Sequence, residues 1–133
     1  DLVINHGTWA WLEAHRKTAK SEIFRYRFDH APNTMWFPKE PVQGAFHSSE
    51  IPYVFDNLDA FDWTIAPDDE IVAAMMSGYV VNFVKTGDPN GQSLPHWPSY
   101  REAERPQICI ASKTSIDYDV DRARHEMLEK LLE

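Results

Sequence analysis

One histidine, His47, stands among residues that suit proton transfer. It lies in residues 44–55, with the sequence GAFHSSEIPYVF. Gly44 permits a tight turn three residues before it, and the hydroxyl of Ser48 or Ser49 directly after it can cap the start of a helix. This pattern predicts a loop that presents the imidazole, whose ordinary pKa of about 6.5 allows it to take and give a proton near neutral pH. The alternative is a histidine that only makes hydrogen bonds in a turn.

A nucleophile to accompany this histidine is not visible in the chain. Serine esterases carry their serine in a G-x-S-x-G elbow between a strand and a helix, and none of the eight serines has these neighbours. Ser48 and Ser49 adjoin His47, but side chains of neighbouring residues rarely meet in attack geometry. Ser77 falls inside a predicted helix. His47 is therefore a candidate base without a candidate nucleophile in the same chain.

Residues 44–55 resemble the segment around the catalytic histidine of the type-B carboxylesterases. This α/β-hydrolase family includes cholinesterases and bacterial para-nitrobenzyl and feruloyl esterases. Three further blocks resemble the family in the same order and with similar spacing, and they are YRFDH at 26–30, NFVKTGDPNG at 82–91 and LPHWPSY at 94–100. The resemblance covers most of the chain between residues 23 and 100.

The resemblance implies an α/β fold in which residues 1–133 form the C-terminal segment of a hydrolase domain, with the last sheet strands and their covering helices. The family's triad runs serine, acid, histidine along the chain, so this segment would carry only the histidine. His47 would be the general acid and base of a serine carboxylesterase acting on a small-molecule ester, and the chain alone would be inactive. The alternative is a non-catalytic, cholinesterase-like binding or adhesion module, which a G-x-S-x-G elbow in the preceding sequence would exclude.

Several neighbours of His47 are candidates for supporting it. Gly44 and Ser48 shape its turn, and Glu50 lies one turn further along the same short helix. That position suits a supporting or capping carboxylate better than the acid of the triad. Phe46 and Trp36 are candidates for lining a substrate pocket, although Trp36 could equally anchor its loop to the core.

Hydrophobic periodicity and turn residues predict the elements that must position this turn. A proline-rich loop over 29–43 precedes the turn, and a linker over 56–67 follows it. Asp68 is expected to cap the longest helix, Gly87 to end it, and Thr8 to cap the first. The broad apolar surface of the longest helix predicts that other elements cover it on more than one side. The predicted helices are 7–19, 50–55, 68–86 and 121–133, and the predicted strands are 22–28 and 107–111.

Composition narrows the possible functions. A net charge of −8 without a basic cluster argues against nucleic-acid binding, and no apolar run reaches the roughly 18 residues of a membrane span. The sequence contains neither a zinc motif nor a phosphate or dinucleotide motif, so no metal and no cofactor are expected. Cys109 falls in a predicted strand and is expected to be a buried structural thiol. We expect the segment to pair with the missing N-terminal part or with itself, because alone it would expose apolar surface and strand edges.

Overall fold

The computed structural model describes residues 2–32, 44–60 and 64–132. Trp36 and most of the predicted loop over 29–43 lie outside these ranges. The described elements are a π-helical turn Leu2–His6, helix α1 Gly7–Thr18, strand β1 Tyr26–Phe28, helix α2 Ile51–Val54, a 3-10 turn Leu58–Ala60, helix α3 Pro67–Thr86, strands β2 Pro106–Ile110 and β3 Ser115–Tyr118, and helix α4 Arg122–Leu132.

The described strands form one mixed sheet in the order β1-β2-β3. β1 pairs with β2 in parallel, and β2 pairs with β3 in antiparallel orientation. All five residues of β2 are buried, as expected of an apolar central strand. The strand predicted at 107–111 is thus confirmed as β2, which begins and ends one residue earlier than predicted. Strand β3 was not predicted. The strand predicted over 22–28 enters the sheet only from Tyr26, because the Ile23 carbonyl accepts the Tyr100 amide of a loop instead.

Helix α3 supplies much of the core. Its side chains pack with Tyr53 of α2 and with Ile108 and Ile110 of β2. The buried hydrophobic residues of α3 are Val72, Ala73, Met75, Met76 and Tyr79. The two adjacent methionines are therefore core residues, which suits their flexible thioether side chains.

The C-terminal end of α3 agrees with its prediction, and the N-terminal end does not. Gly87 ends the helix with φ of +80°, as predicted. The predicted cap Asp68 is wrong, because the helix begins at Pro67 and the side chain that reaches back is that of Asp69. Its Oδ2 accepts the Ala66 backbone N–H at 2.8 Å, which satisfies a donor that the helix itself leaves unpaired.

The described part of the chain covers only one side of α3. Ile71 and Val84 are 53% and 78% exposed on its other sides. The predicted cover on more than one side is therefore not supplied by the described residues.

Helices α1 and α4 meet through aromatic rings. Trp9 of α1 stacks with His125 of α4 at 5.1 Å between ring centroids and with His6 at 5.8 Å. The prediction that Thr8 caps α1 is wrong, since the preceding π-helical turn places the cap position at His6, which makes no side-chain cap bond. α4 confirms the predicted final helix within one residue at each end.

Cys109 lies in β2 and is buried. Its Sγ donates to Asp117 Oδ2 at 3.2 Å. Burial and the neighbouring carboxylate raise the pKa of the thiol, so the thiolate is disfavoured and the structural role predicted for Cys109 fits its surroundings.

Candidate active site

The turn that carries His47 is shaped by two residues in the left-handed region. Gly44 has φ of +89° and Ser48 has φ of +68°. A Cβ at Gly44 would meet nothing within 4 Å, so glycine is favoured there by its conformation rather than by space. The Ser49 amide donates to the Phe46 carbonyl at 3.0 Å and closes the turn. His47 is exposed at its tip, as predicted.

Helix α2 begins without a side-chain cap. Its cap residue is Glu50, which already has helical backbone angles and makes no side-chain cap bond. The capping roles expected of Ser48 and of Glu50 are therefore wrong, because the chain enters α2 from a turn rather than from an extended segment. Their role beside His47 stays a prediction. Pro52 lies in the first turn of α2, where proline is tolerated.

Glu50 makes no described hydrogen bond or ion pair with His47. Its charge instead acts on Tyr26 of β1, whose pKa is raised first by burial and then by this carboxylate. A supporting role of Glu50 toward the imidazole stays a prediction.

The side chains of Phe46 and Ser49, on either side of His47, differ in burial. Phe46 is half-buried, and its place in a substrate pocket stays a prediction, as does that of Trp36. Ser49 is 1% exposed, and its Oγ has no hydrogen-bond partner among the described residues. A buried hydroxyl without a hydrogen-bond partner is energetically unfavourable. The described residues therefore leave the hydrogen-bonding capacity of the Ser49 hydroxyl in this turn unused.

A buried hydrogen-bond network adjoins the turn. His30 Nε2 lies 2.6 Å from Asp69 Oδ1, and the Tyr53 hydroxyl donates to the same oxygen at 2.7 Å. The three side chains are 9%, 4% and 1% exposed, in the order His30, Asp69 and Tyr53. With its second oxygen on the Ala66 amide, Asp69 links the chain just after β1, helix α2 and the start of α3.

Burial and the Asp69 hydrogen bond both raise the pKa of Tyr53 well above its ordinary value. Tyr53 therefore remains a hydroxyl donor at any working pH. Sequence reasoning missed this network because its members are 16 and 39 residues apart. The local signal was an acidic residue at the third position of a helix, which predicts a bond to the backbone but not to a distant tyrosine.

The site residues predicted between Gly44 and Glu50 thus lie together in one turn, because they are close in sequence. The described residues do not bring a serine or a carboxylate into hydrogen-bond contact with His47. They also contain no group of three or more His, Cys, Asp or Glu side chains that could hold a metal ion.

Sequence comparison extends the likeness of this turn to nearly the whole chain. A model of the carboxylesterase family matches residues 1–128. This chain belongs to the carboxylesterase family. The resemblance of the chain to this family is thereby confirmed, and the chain is a hydrolase-type sequence.

Individual relatives match a limited part of their own length. The para-nitrobenzyl esterase of Bacillus subtilis (strain 168) is 31% identical over 111 residues, which are 80% of this chain and 21% of the relative. The cocaine esterase of Homo sapiens is 30% identical over 93 residues, which are 69% of this chain and 17% of the relative. This carboxylesterase chain therefore spans about a fifth of the length of the curated relatives it matches.

The fold agrees with the family. A solved structure of PNB esterase superposes with a TM-score of 0.67 and 29% identity, covering 80% of this chain and 22% of that chain. The mixed sheet and its helices are therefore part of an α/β-hydrolase fold, as the resemblance implied. None of the described helices is both long and apolar enough to cross a membrane.

Proposed function

We propose that this chain is the C-terminal segment of a serine carboxylesterase, and that His47 is its general acid and base. The observation that carries the proposal is the exposed imidazole on a turn held by Gly44 and Ser48, in a chain of the carboxylesterase family. An imidazole without a described partner is free to receive a serine hydroxyl on one nitrogen and a carboxylate on the other.

In this proposal the preceding part of the domain supplies the serine and the acid. His47 takes the serine proton as the oxygen attacks the carbonyl carbon of a carboxylic ester, and the resulting imidazolium gives that proton to the departing alcohol. A water molecule then attacks the acyl-enzyme by the same proton transfers and releases the acid. The segment alone is expected to be inactive, because it holds only one member of the triad.

The test is the substitution His47→Gln in the protein that joins this segment to the preceding part of the domain. Hydrolysis of a short-chain nitrophenyl ester should be blocked by an organophosphate in the unsubstituted protein. H47Q should lower kcat by roughly a thousandfold or more, since loss of a triad histidine removes the base. The matched control is His96→Gln, an exposed histidine in a loop, which should leave kcat unchanged.

Three results would contradict the proposal. Full activity in H47Q would remove His47 from the reaction. Absence of organophosphate-sensitive activity in the unsubstituted protein would favour the binding or adhesion module instead. Purified 133-residue chain of the expected 15.4 kDa mass that hydrolyses the ester by itself would show that a nucleophile lies within this segment.

A further inference from the structure

The turn that carries His47 is joined to helix α2 as one hydrogen-bonded unit. The Ser49 amide donates to the Phe46 carbonyl, the Ile51 amide to the Ser48 carbonyl, and the Val54 amide to the Glu50 carbonyl. Residues 46–55, which we call the histidine arm, therefore form one continuous hydrogen-bonded piece of backbone. The position of His47 depends on how this arm is attached to the rest of the domain.

The attachment comes from the buried side chains of the histidine arm, since Pro52 and Tyr53 are buried and Val54 packs against the hydrophobic core. His47, Ser48, Ile51 and Phe55 are exposed, and the hydroxyl of Ser49 is unpaired. Tyr53 is buried and packs against the rings of Phe28 and His30, with centroid distances of 5.1 and 5.3 Å. Among the described hydrogen bonds, the one that a side chain of the arm makes is the bond from the Tyr53 hydroxyl to Asp69.

A hydrogen bond adds to packing a narrow range of distance and direction for the hydroxyl. The acceptor is itself held in place. Asp69 is anchored by the Ala66 amide on one oxygen and by His30 on the other. The bond therefore ties the histidine arm to the start of a 20-residue helix.

We propose that Tyr53, through its bond to Asp69, is a positioning residue for His47, fixing the histidine arm so that the imidazole meets the serine in attack geometry. This inference rests on the proposed function. Proton transfer requires heavy-atom distances of about 2.6–3.2 Å, and a misplacement of about 1 Å can cost about a hundredfold in rate. Loss of the Tyr53 hydroxyl should then lower kcat while substrate binding is retained.

The test compares Tyr53→Phe with Tyr79→Phe in the protein that joins this segment to the preceding part of the domain. Tyr79 is an apt control because it is fully buried in the same core cluster and its hydroxyl donates to the Pro95 carbonyl at 2.7 Å. Both variants lose one buried hydroxyl. Y53F should lower kcat by roughly tenfold with KM within about twofold, and Y79F should leave both constants unchanged.

A second readout does not depend on activity. Hydrogen–deuterium exchange of the peptide covering residues 46–55 should be faster in Y53F than in Y79F. Asp69→Asn repeats the test from the acceptor side, because its amide group cannot accept both the Ala66 N–H and the Tyr53 hydroxyl with the original geometry. The D69N variant should lower kcat and speed exchange of the same peptide. It replaces Y53F as the test if Y53F does not fold.

The outcomes separate this inference from the proposed function. If H47Q abolishes activity while Y53F and D69N match Y79F in kcat and in exchange, the positioning role is overturned. If exchange of residues 46–55 rises in Y53F but H47Q retains full activity, the arm is attached as inferred and the catalytic proposal has failed. Lower kcat and faster exchange in Y53F, together with an inactive H47Q, would support both.

Discussion

At the scale of single residues, two buried histidines join the π-helical turn before α1 to α4. His6 Nδ1 lies 3.3 Å from His125 Nδ1, and His6 Nε2 lies 3.2 Å from Glu129. One Nδ1–H can donate to the other nitrogen only while at least one ring is neutral. If both rings were protonated, two donors would face each other in a buried site.

The charges around His125 mostly oppose its protonation. Burial, His6, Arg25 and Arg124 lower its pKa, while Asp121 acts in the opposite direction. A histidine whose pKa is lowered on folding binds fewer protons in the folded state than in the unfolded state. Its stabilisation is complete above the unfolded pKa of about 6.5 and is lost as pH falls below that value.

We therefore predict that the free energy of unfolding decreases as the pH falls from 7.5 to 5.5. One proton can contribute at most about 1.4 kcal/mol per pH unit. His125→Gln should flatten this dependence, and the exposed His96→Gln should preserve it. Chemical denaturation at a series of pH values measures both, and an equal slope in H125Q and the unsubstituted protein would contradict the assignment.

At the scale of elements, α1 is fastened to the loop before β2 by one buried carboxylate. Glu13 accepts the Arg16 guanidinium at 3.0 and 3.1 Å and the Tyr100 hydroxyl at 3.1 Å, and Arg105 lies 3.4 Å away. Burial by itself would raise the pKa of Glu13, but the bonds from Arg16, Arg105 and Tyr100 outweigh it and hold the pKa below its ordinary value. The charged form thus joins three parts of the chain.

Glu13→Gln should destabilise the fold by about 2–4 kcal/mol, because it keeps the shape but leaves two arginines without their buried counter-charge. The matched control is Glu126→Gln in α4, whose carboxylate pairs with Arg122 at 2.7 Å on the surface. Exposed ion pairs contribute little, so E126Q should leave the denaturation midpoint unchanged. Equal effects in the two variants would show that the Glu13 network is no more than a surface pair.

At the scale of the whole molecule, the described chain leaves apolar surface and strand edges uncovered. Val84, Ile71 and Phe55 are exposed, and β1 is an edge strand of the described sheet. Exposed apolar patches and open strand edges favour association. The chain spans about a fifth of the length of the curated relatives it matches, and the proposed preceding part of the domain would cover such surfaces.

We predict that the isolated chain self-associates and that Val84→Glu weakens this association, because the change places a charge on the exposed apolar side of α3. Gln92→Glu changes the net charge equally at an exposed polar position and should have a smaller effect. Sedimentation velocity over a range of concentrations measures the association. Unchanged association in V84E, or an equal decrease in Q92E, would exclude this side of α3 as the contact.

Local patterns determined the parts of this protein whose cause lies within a few residues. Gly44 and Gly87 were predicted because a turn and a helix end favour backbone angles that glycine adopts easily. Helix α3 followed from a long apolar pattern that ends at Gly87, and strand β2 followed from a short apolar run. The turn around His47 was also predicted from a local pattern, because its candidate residues are neighbours in the chain.

The tertiary structure alone decided which distant groups meet. Asp69 stands at the third position of α3, where a local pattern predicts only a bond to the backbone, yet it also binds Tyr53 and His30. His125 lies in α4, and folding places it against His6. No local pattern encodes such partners, because a buried polar group takes whichever donor or acceptor the packing of separate elements brings within hydrogen-bond reach. The sequence thus determined the turn that presents His47, and the fold decided what holds that turn in place.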